Sequence, residues 1–520
     1  MSPVVLVLVL VLVLLPAEGS GAAEPETSTG LSFVVAFPEN VAHYHPAAPQ
    51  NRLQLTALFN DTEVTITPSI FQDATLQLQE GESKEHPVDA RMEARWWALT
   101  QGSSDRVLQV RSNKPIAVLA VSEKLDSVQT AVVLPTEKLA KDYRVPPVPE
   151  IPGTTRPAEA VTAAVTERAP FRLLVVNGAQ SNVVRLTGGA AQSIRLASNE
   201  LVQILLEDSA APRSVSADQP VAVLFGHTCA MRSDCACGQL YAALAPAEDA
   251  ALKFYIPPAL ANGTEAFVLL SEAGGTTAKA FDPTSPLVEA AGAAIFYRQG
   301  LLLPLIAESD FAACYVVHSV AAAQSSVLVV VNKTFTDGLH VGGAPVPGSW
   351  QELPGTDYAA ATVELAEGRS FVWHAASKMA VYFMGRKNRS WFGNPAAVVH
   401  VGAAASGWKE SLQYCKDRQM ALLSFPEARH HAQISRKLLR AGAEGELWLG
   451  LRRSALSGDW YWLSGAPQAD TNWEDGEPGT VHHGQCAAMS RERRFSWSDR
   501  SCCEDAKPVC YTPPTLLNTA

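Results

Sequence analysis

Short apolar segments separated by turn residues make up most of this chain. This residue pattern restricts the possible folds more than any other feature of the sequence. Over residues 31–395 the segments are rich in Val, Leu, Ala and Thr, with Gly, Pro, Asn, Asp and Ser between them. Such segments are typical of β-strands joined by turns, and sustained helical periodicity is hard to find. The region is therefore predicted to be mostly β, with hairpins at residues 53–68, 172–186 and 325–341.

The β region contains segments that resemble one another. "NKPIAVLAVSEK" begins at Asn113 and "DQPVAVLFGHTC" begins at Asp218, and each leads through a polar turn to a second apolar segment. A shorter third copy begins at Ser377. This spacing predicts two or three related β-sandwich-like units. The alternative, that strand, turn and strand look alike in any all-β protein, stays open.

The amino terminus has the pattern of a secretory signal peptide, predicted at residues 1–22. An apolar segment at residues 4–15 precedes small residues, although no Lys or Arg precedes it, and cleavage is expected between residues 19 and 23. No later segment reaches about 18 uninterrupted apolar residues, and the tail at 513–520 is too short for a lipid-anchor signal. The mature chain is predicted to be secreted, with no transmembrane segment.

Charge and motif content argue against two classes of function. The formal net charge is −11, and no basic stripe is present that would displace counterions from phosphates, so a nucleic-acid partner is not expected. The chain has no G-x-S-x-G, H-E-x-x-H or phosphate-loop motif. We therefore expect no enzyme activity.

Secretion makes N-x-S/T sequons available for glycosylation. Four sequons precede residue 400, and they begin at Asn60, Asn262, Asn332 and Asn388. The protein is therefore predicted to be a glycoprotein.

Four of the nine cysteines lie in the β region. Cys229, Cys235 and Cys237 are close together, and Cys314 follows later. With His227 they offer zinc ligands, but in a secreted chain such a cluster more often forms disulfides. We expect Cys229 to pair with Cys237 and Cys235 to pair with Cys314, although the connectivity cannot be fixed from sequence.

Several strand segments of the β region carry a family resemblance. "FVVAFPENV" from Phe33, "VVLPTEKLAKDYRV" from Val132 and "QPVAVLFGHTCA" from Gln219 resemble the amino-terminal domain of IgGFc-binding protein and its relatives. The resemblance spans most of residues 31–395 and implies a mucosal, secreted or cell-surface protein. No residue pattern in this chain matches a defined Fc contact. The resemblance is therefore not taken to imply Fc binding.

After Pro395 the spacing of apolar residues changes. Apolar residues recur at helical spacing over residues 408–418 and 426–440, which predicts two amphipathic helices. Pro426 occupies a first-turn position, as helix starts prefer. A strand is predicted at residues 446–453, "ELWLGLRR".

The carboxy-terminal region resembles a C-type lectin-like domain. The residues that carry the resemblance are Trp448-Leu-Gly-Leu, Trp460 with Trp462, "NWEDGEPG" from Asn472, Trp497-Ser-Asp, and Cys415, Cys486, Cys502 and Cys510. It implies an α+β domain over residues 397–512 with the disulfides Cys415–Cys510 and Cys486–Cys502. Cys503 is extra to the pattern, so it is free, pairs with the amino-terminal cluster, or links two chains into a disulfide-linked oligomer.

The lectin resemblance also implies a place for Ca²⁺, which binds about six to eight oxygens. Glu477 and Pro478 match the Glu-Pro of the family's sugar-binding motif, and Asp499 matches the Asp of its Trp-Asn-Asp. Glu477 and Asp499 are thus the candidate metal ligands of a degenerate calcium site.

Three positions depart from the family's calcium pattern. Gly479 stands where Asn or Asp is expected, Gly484 where Glu is usual, and Ser498 where Asn is usual. Because glycine has no side-chain oxygen, calcium is expected to bind weakly or not at all. Other side chains could substitute in a rearranged loop, namely those of Glu474, Asp475, Thr480 and Gln485. His482 and His483 are expected to be exposed loop residues.

Recognition is the function that these features favour. The expected ligand-binding residues are Trp473, Glu477, Pro478, Gln485 and Asp499. The leading hypothesis is a secreted recognition or adhesion glycoprotein that binds a carbohydrate or protein with weak or no calcium dependence. The alternative is a structural component of mucus or extracellular matrix that binds no sugar.

Overall fold

A computed structural model describes the chain at residues 28–44, 47–58, 61–79, 81–95, 101–149, 171–188, 191–206, 213–233, 236–248, 250–261, 263–272, 275–341, 344–346, 349–374, 377–388, 390–398, 407–417, 421–425, 431–432, 434–436, 438, 445–454, 458–463, 472–480, 484–504 and 506–511. The predicted signal peptide at residues 1–22 and the tail at 513–520 lie outside these residues.

The first part of the chain is built around one long strand. Its strands are β1 (Thr29–Val35), β2 (Phe37–Pro38), β3 (Gln50–Ala57), β4 (Thr62–Pro68), β5 (Ala74–Leu78), β6 (Ser83–Val88), β7 (Glu93–Ala94), β8 (Gln101–Ser104), β9 (Leu108–Lys124) and β10 (Ser127–Val133). A seven-stranded sheet has the order β5-β4-β9-β3-β6, and β1 and β10 also pair with β9. The 17 residues of β9 therefore join four antiparallel neighbours into one sheet.

The second part has the same plan around another long strand. Its strands are β11 (Ala140–Arg144), β12 (Arg172–Asn177), β13 (Asn182–Thr187), β14 (Gln192–Leu196), β15 (Leu201–Leu205), β16 (Ser214–Ser233) and β17 (Ala236–Ala243). The sheet order is β14-β13-β16-β12-β15-β8, and β11 and β17 also pair with β16. β8 thus links the sheet to the preceding part.

Smaller sheets complete the β region. Their strands are β18 (Leu252–Tyr255), β19 (Ala266–Glu272), β20 (Gly275–Ala280), β21 (Leu287–Ala290), β22 (Ala294–Arg298), β23 (Leu301–Pro304), β24 (Cys314–His318), β25 (Gln324–Asn332), β26 (Leu339–Val341), β27 (Ala344–Pro345), β28 (Gln351–Glu352), β29 (Tyr358–Glu364), β30 (Arg369–His374), β31 (Met379–Lys387), β32 (Ser390–Pro395) and β33 (Ala397–Val398). Two five-stranded sheets, β27-β26-β30-β24-β33 and β28-β29-β25-β31-β32, form its end.

Short 3₁₀ turns lie between the strands, at Ala42–Tyr44, Ala90–Met92, Thr136–Lys138, Pro258–Leu260, Glu308–Asp310 and Lys333–Phe335. The mostly β, multidomain architecture predicted from the sequence is confirmed. Alternation explains the strands: in β4, Val64 and Ile66 are fully buried while Glu63 faces solvent, because successive side chains point to opposite faces.

The predicted hairpins have the expected strands and turns but the wrong pairing. In residues 53–68, β3 and β4 each pair with β9, which lies between them. In residues 172–186, β12 and β13 are separated in the same way by β16. In residues 325–341, β25 and β26 belong to different sheets. In the first two cases a strand from later in the chain lies between the two sequence neighbours, and periodicity carries no information about such long-range pairing.

The three similar sequence segments each form a long strand followed by its antiparallel partner. These pairs are β9–β10, β16–β17 and β31–β32. A tyrosine supports two of them identically. Tyr143 Oη accepts a bond from Ala140 N (3.0 Å) and donates to Val221 O (2.6 Å), and Tyr315 Oη does the same with Ala312 N (3.0 Å) and Met379 O (2.6 Å). This equivalence favours duplication, and the number of repeats stays a prediction.

The carboxy-terminal part combines helix and strand. Its elements are α1 (Trp408–Asp417), β34 (Ala421–Leu422), β35 (Glu446–Arg453), β36 (Trp460–Trp462), β37 (Cys486–Ser490), β38 (Trp497–Arg500), β39 (Lys507–Pro508) and β40 (Cys510–Tyr511). Within the second predicted helix, residues 431–432, 434–436 and 438 are helical. The main sheet is β36-β35-β37-β38, with β39 parallel to β35. Among the described residues, no helix combines the length and apolar content needed to cross a membrane.

The β region and the carboxy-terminal part share one buried cluster of side chains. Ala313, Cys314 and Trp373 of the β region pack in the same cluster as Trp408 and Cys503 of the carboxy-terminal part. Trp408 is 1% exposed, and its indole N–H donates to Leu449 O at 2.7 Å. The carboxy-terminal part is therefore packed directly on the β24–β30 side of the β region.

Candidate functional site

The loop at residues 472–480 is attached to strand β38. Trp497 N donates to Asn472 O at 2.7 Å, and Glu474 N donates to Trp497 O at 2.9 Å. Glu477 N then donates to Glu474 O at 2.9 Å, and the Glu477–Pro478 peptide is cis. These backbone bonds hold the first half of the loop against the sheet.

Trp473 packs inward more than its place at the start of the loop suggests. Its ring centroid lies 4.7 Å from that of Trp460 and 5.8 Å from that of Trp497, in tilted and edge-on contacts. The residue is half-buried. Because two neighbours already cover part of the indole, only the remaining part can meet a ligand.

Glu477 and Asp499 meet beneath the loop. Glu477 Oε2 accepts hydrogen bonds from Gly479 N (3.2 Å) and Asp499 N (3.4 Å). The Asp499 side chain is only 4% exposed. Burial and a hydrogen bond to the Glu477 carboxyl raise the pKa of Asp499 to about 7. The structure thus brings together the two residues predicted as metal ligands.

Arg453 lies beside this carboxylate pair. Its Nη2 donates to Gly479 O at 2.8 Å and is 3.7 Å from Asp499 Oδ2, and its side chain is 4% exposed. The guanidinium carbon lies 4.9 Å from the centre of the Trp460 ring, within cation–π range. Burial lowers the pKa of Arg453, while Asp499 and Glu477 oppose that effect. A buried cation therefore lies against Asp499, one of the two candidate calcium ligands.

Sequence reasoning missed Arg453, although the alternation within β35 contains the signal. Side chains two apart share one face of a strand. Leu447, Leu449 and Leu451 are fully buried, so Arg453 follows on the same face. A charged residue at the end of an inward-facing series calls for a buried partner, and that partner is the pair of carboxylates.

Gly484 and its neighbours leave no place for the missing calcium ligand. A Cβ atom on Gly484 would lie 2.4 Å from Arg500 N and 2.6 Å from the carbonyl carbon of Asp499. Ser498 is 4% exposed, and its hydroxyl has no hydrogen-bond partner among the described residues. Gln485 is 9% exposed, and its backbone pairs with Arg500 O (3.1 Å) and Arg453 N (2.9 Å).

These residues do not fit a calcium ion. Calcium needs about six to eight oxygens around it, whereas Glu477 and Asp499 supply the carboxylates and Glu477 Oε2 already accepts two backbone N–H groups. The backbone packs where a side chain of residue 484 would stand. A guanidinium occupies the neighbourhood of the remaining oxygens.

Three of the four side chains named as substitutes are exposed, whereas Gln485 is buried. Glu474, Asp475 and Thr480 are exposed, and Glu474 forms an ion pair with Arg493 Nε at 3.2 Å. His482 and His483 lie outside the described residues. Over residues 472–480, the exposed part of the loop is therefore polar and acidic, with the half-buried Trp473 at its edge.

Eight cysteines form four disulfides. These are Cys229–Cys237, Cys415–Cys510, Cys486–Cys502 and Cys314–Cys503. The predicted bond between Cys235 and Cys314 is wrong, because Cys314 pairs with Cys503. The predicted link between two chains through Cys503 is wrong for the same reason. Of the alternatives for Cys503, pairing with the amino-terminal cluster is the one observed, and Cys235 lies outside the described residues.

Two of the candidate zinc ligands near residues 227–237 are unavailable, because they form a disulfide with each other. Cys229 and Cys237 are joined to each other, and the ring of His227 accepts a hydrogen bond from Cys229 N at 3.0 Å. Within the described ranges, no cluster of His, Cys, Asp and Glu is arranged to hold a metal ion.

Two of the predicted glycosylation sites can be placed. Asn332 begins a 3₁₀ turn, where its side chain accepts bonds from Thr334 N (3.1 Å) and Thr334 Oγ1 (2.7 Å). Asn388 is exposed at the turn between β31 and β32. Asn60 and Asn262 lie outside the described residues. Occupancy of all four stays a prediction.

Two family models match this chain. The model described as lectin C-type domain matches residues 404–512, and the model described as IgGFc binding protein matches residues 129–300. Neither family is catalytic, and both are typical of extracellular proteins.

Three similar proteins each match a part of this chain. C-type lectin domain family 17, member A of Homo sapiens is 29% identical over 107 residues, which are 21% of this chain and 27% of that protein. C-type mannose receptor 2 of Homo sapiens is 30% identical over 107 residues, which are 21% of this chain and 7% of that protein. IgGFc-binding protein of Homo sapiens is 26% identical over 294 residues, which are 49% of this chain and 5% of that protein. The chain thus spans a minor part of each of these three relatives.

Two solved structures are also similar to a part of this chain. Human lithostathine is 20% identical with a TM-score of 0.21, covering 26% of this chain and 92% of its own. The mouse scavenger receptor C-type lectin carbohydrate-recognition domain is 21% identical with a TM-score of 0.19, covering 22% of this chain and 87% of its own. From the matched family models, residues 404–512 are a C-type lectin domain, and residues 129–300 are an IgGFc-binding protein region.

Proposed function

We propose that this chain is a secreted recognition or adhesion glycoprotein whose C-type lectin domain binds a carbohydrate or protein ligand with weak or no dependence on calcium. The lectin domain itself supports ligand recognition. The observation that carries the calcium-independent form is the packing at Gly484. Backbone atoms lie 2.4 and 2.6 Å from the position that a Cβ would take there, and they exclude the usual carboxylate.

The ligand surface that we propose is the outer side of the loop at residues 473–480. Trp473, Glu477 and Pro478 are half-buried there, so each offers part of its surface to a partner. Gln485 and the Asp499 side chain are buried, so we propose that they act from beneath by holding the loop. Without calcium to coordinate sugar hydroxyls, affinity must come from direct hydrogen bonds and from contact with the indole.

A glycan array probed with the full secreted chain tests this proposal. We expect binding that is equal in calcium and in EDTA, and that falls at least about tenfold in Trp473→Ala, the loss of an aromatic anchor. Tyr461→Ala is the matched control, since Tyr461 is 41% exposed on a neighbouring strand outside the loop. Binding abolished by EDTA would contradict the calcium-independent form, and binding unaffected by Trp473→Ala would contradict the proposed surface.

The structural alternative, a component of mucus or matrix, gains no support from Cys503. A disulfide link between chains through Cys503 would favour it, whereas Cys503 is bonded to Cys314 of the same chain. Recognition is therefore the function that we propose.

A further inference from the structure

We propose that Arg453 is the resident cation of the lectin loop: its guanidinium takes the place of a metal ion beside Glu477 and Asp499 and keeps calcium out. This inference rests on the proposed function, since it concerns the same loop. It goes further by adding a second obstacle to calcium beside the missing carboxylate at Gly484, namely a buried cation whose removal should leave weak calcium binding at the remaining oxygens.

The positions of the groups around Arg453 support this role. Nη2 is 2.8 Å from Gly479 O and 3.7 Å from Asp499 Oδ2. Glu477 belongs to the same cluster, because its Oε2 accepts the backbone N–H groups of both Gly479 and Asp499. One guanidinium thus touches a loop carbonyl and a carboxylate, which are the oxygen types that calcium binds.

Because both are buried, Arg453 and Asp499 each depend on the other's charge. The side chains of Arg453 and Asp499 are each 4% exposed. A carboxylate buried as deeply as that of Asp499 is unfavourable without a nearby positive charge, and a buried guanidinium is unfavourable without a negative one. Two further N–H groups of Arg453, at Nε and Nη1, have no hydrogen-bond partner among the described residues. The Gly479 carbonyl and the Asp499 carboxylate are therefore the groups that compensate for burying this charge.

The same arrangement disfavours calcium. A divalent ion at the carboxylates would lie within a few ångströms of the guanidinium, where like charges repel strongly because the site is shielded from water. Arg453 cannot readily swing away, since its guanidinium also packs 4.9 Å from the centre of the Trp460 ring. Nor can it lose its proton at physiological pH.

Calcium titration of the full chain tests the inference. The melting temperature of the lectin domain is measured in EDTA, in about 10 mM CaCl₂ and in about 10 mM MgCl₂, a concentration above the dissociation constants of extracellular calcium modules. The variants are Arg453→Met, which removes the charge but keeps an apolar stem, and Arg453→Lys, which keeps a charge. Arg452→Met is the control, because Arg452 faces Trp408 at 5.7 Å instead of the loop.

We expect no calcium effect on the wild type, Arg453→Lys or the control. Arg453→Met should melt lower in EDTA and recover by about 5 °C in calcium but not in magnesium. Calcium stabilisation of the wild type equal to that of Arg453→Met would overturn the inference. A folded Arg453→Met that does not respond to calcium would also overturn it.

A second measurement decides the matter if Arg453→Met does not fold. Calorimetric titration of the wild type with calcium should give no binding heat, and a saturable heat with a submillimolar dissociation constant would refute the role of Arg453. The result is separable from that of the glycan array. A chain that binds no glycan and no calcium would refute the carbohydrate form of the proposed function while leaving the inference in agreement with the data.

Discussion

Cys314 on strand β24 is bonded to Cys503 of the lectin domain, with a Cα–Cα distance of 5.7 Å across 189 residues of sequence. Trp373 and Trp408 pack in the same buried cluster. Covalent and apolar contacts therefore meet at one junction. The lectin domain is fixed on the β region there, which gives the loop at residues 472–480 a defined direction relative to the β sheets.

Removing this bond should loosen the junction. We expect Cys503→Ser to destabilise the lectin domain by about 2–4 kcal/mol, because a long loop is no longer closed in the unfolded chain. Calorimetric unfolding of the full chain measures the loss. Cys314→Ser should give the same loss, and the double variant should add little to either, since both remove one bond.

The pairing itself can be checked by peptide mapping without reduction. A peptide that joins Cys314 to Cys503 is expected, together with a monomer on non-reducing gels. A disulfide-linked dimer that disappears in Cys503→Ser would contradict the intrachain bond.

The paired tyrosines of the β region lead to a second prediction. Tyr143→Phe and Tyr315→Phe should each cost about 1–3 kcal/mol, because each removes two hydrogen bonds between a tyrosine hydroxyl and the backbone, and each such bond contributes about 0.5–1.5 kcal/mol. Thermal unfolding of the two variants should show similar losses. Tyr461→Phe is the control, with an expected change near zero because Tyr461 is 41% exposed. Strongly unequal losses in the first two variants would argue against structurally equivalent repeats.

A buried carboxyl in the first part of the chain predicts a pH dependence. Burial raises the pKa of Glu93 from 4.5 to about 7, with Glu39 adding to the rise and a hydrogen bond from Asn51 opposing it. The folded state then holds this proton more tightly than the unfolded state. The contribution of Glu93 to stability is therefore most favourable below pH 4.5 and is lost as pH rises through about 7.

Comparison with Glu93→Gln isolates this effect from other titrating groups. The stability of the wild type minus that of Glu93→Gln should fall between pH 5 and pH 8 by up to about 3 kcal/mol, since the pKa difference spans most of that range. Urea unfolding of both proteins at several pH values measures it. Parallel pH profiles for the two proteins would refute the prediction.

Local patterns predicted much of the fold, because strand alternation and helix periodicity are properties of neighbouring residues. The helix expected at residues 408–418 is observed as Trp408–Asp417, and the strand at residues 446–453 is observed with those bounds. Strand pairing was predicted less well. The insertion of β9 between β3 and β4 depends on contacts between distant segments, which periodicity does not report.

The candidate site shows the same division. Glu477 and Asp499 were identified by their place in a motif, and they do lie together. Arg453 belongs to no motif and reaches the pair from another strand, so its role depends on tertiary packing. The Cys314–Cys503 bond could not be predicted either, because the same number of cysteines can pair in many different ways.

Gly484 offers the sharpest test of the local packing. Gly484→Ala should destabilise the lectin domain by about 1–3 kcal/mol, because its Cβ would lie 2.4 Å from Arg500 N and backbone atoms must move to admit it. Gly178→Ala is the control, since no heavy atom lies within 4 Å of the added Cβ, and its effect should stay within about 0.5 kcal/mol. Thermal unfolding measures both. Gly484→Glu should also lose stability, and calcium should not stabilise it, because Arg453 still lies beside the loop. If calcium did stabilise Gly484→Glu, the missing carboxylate and not Arg453 would be the reason that the site lacks calcium affinity.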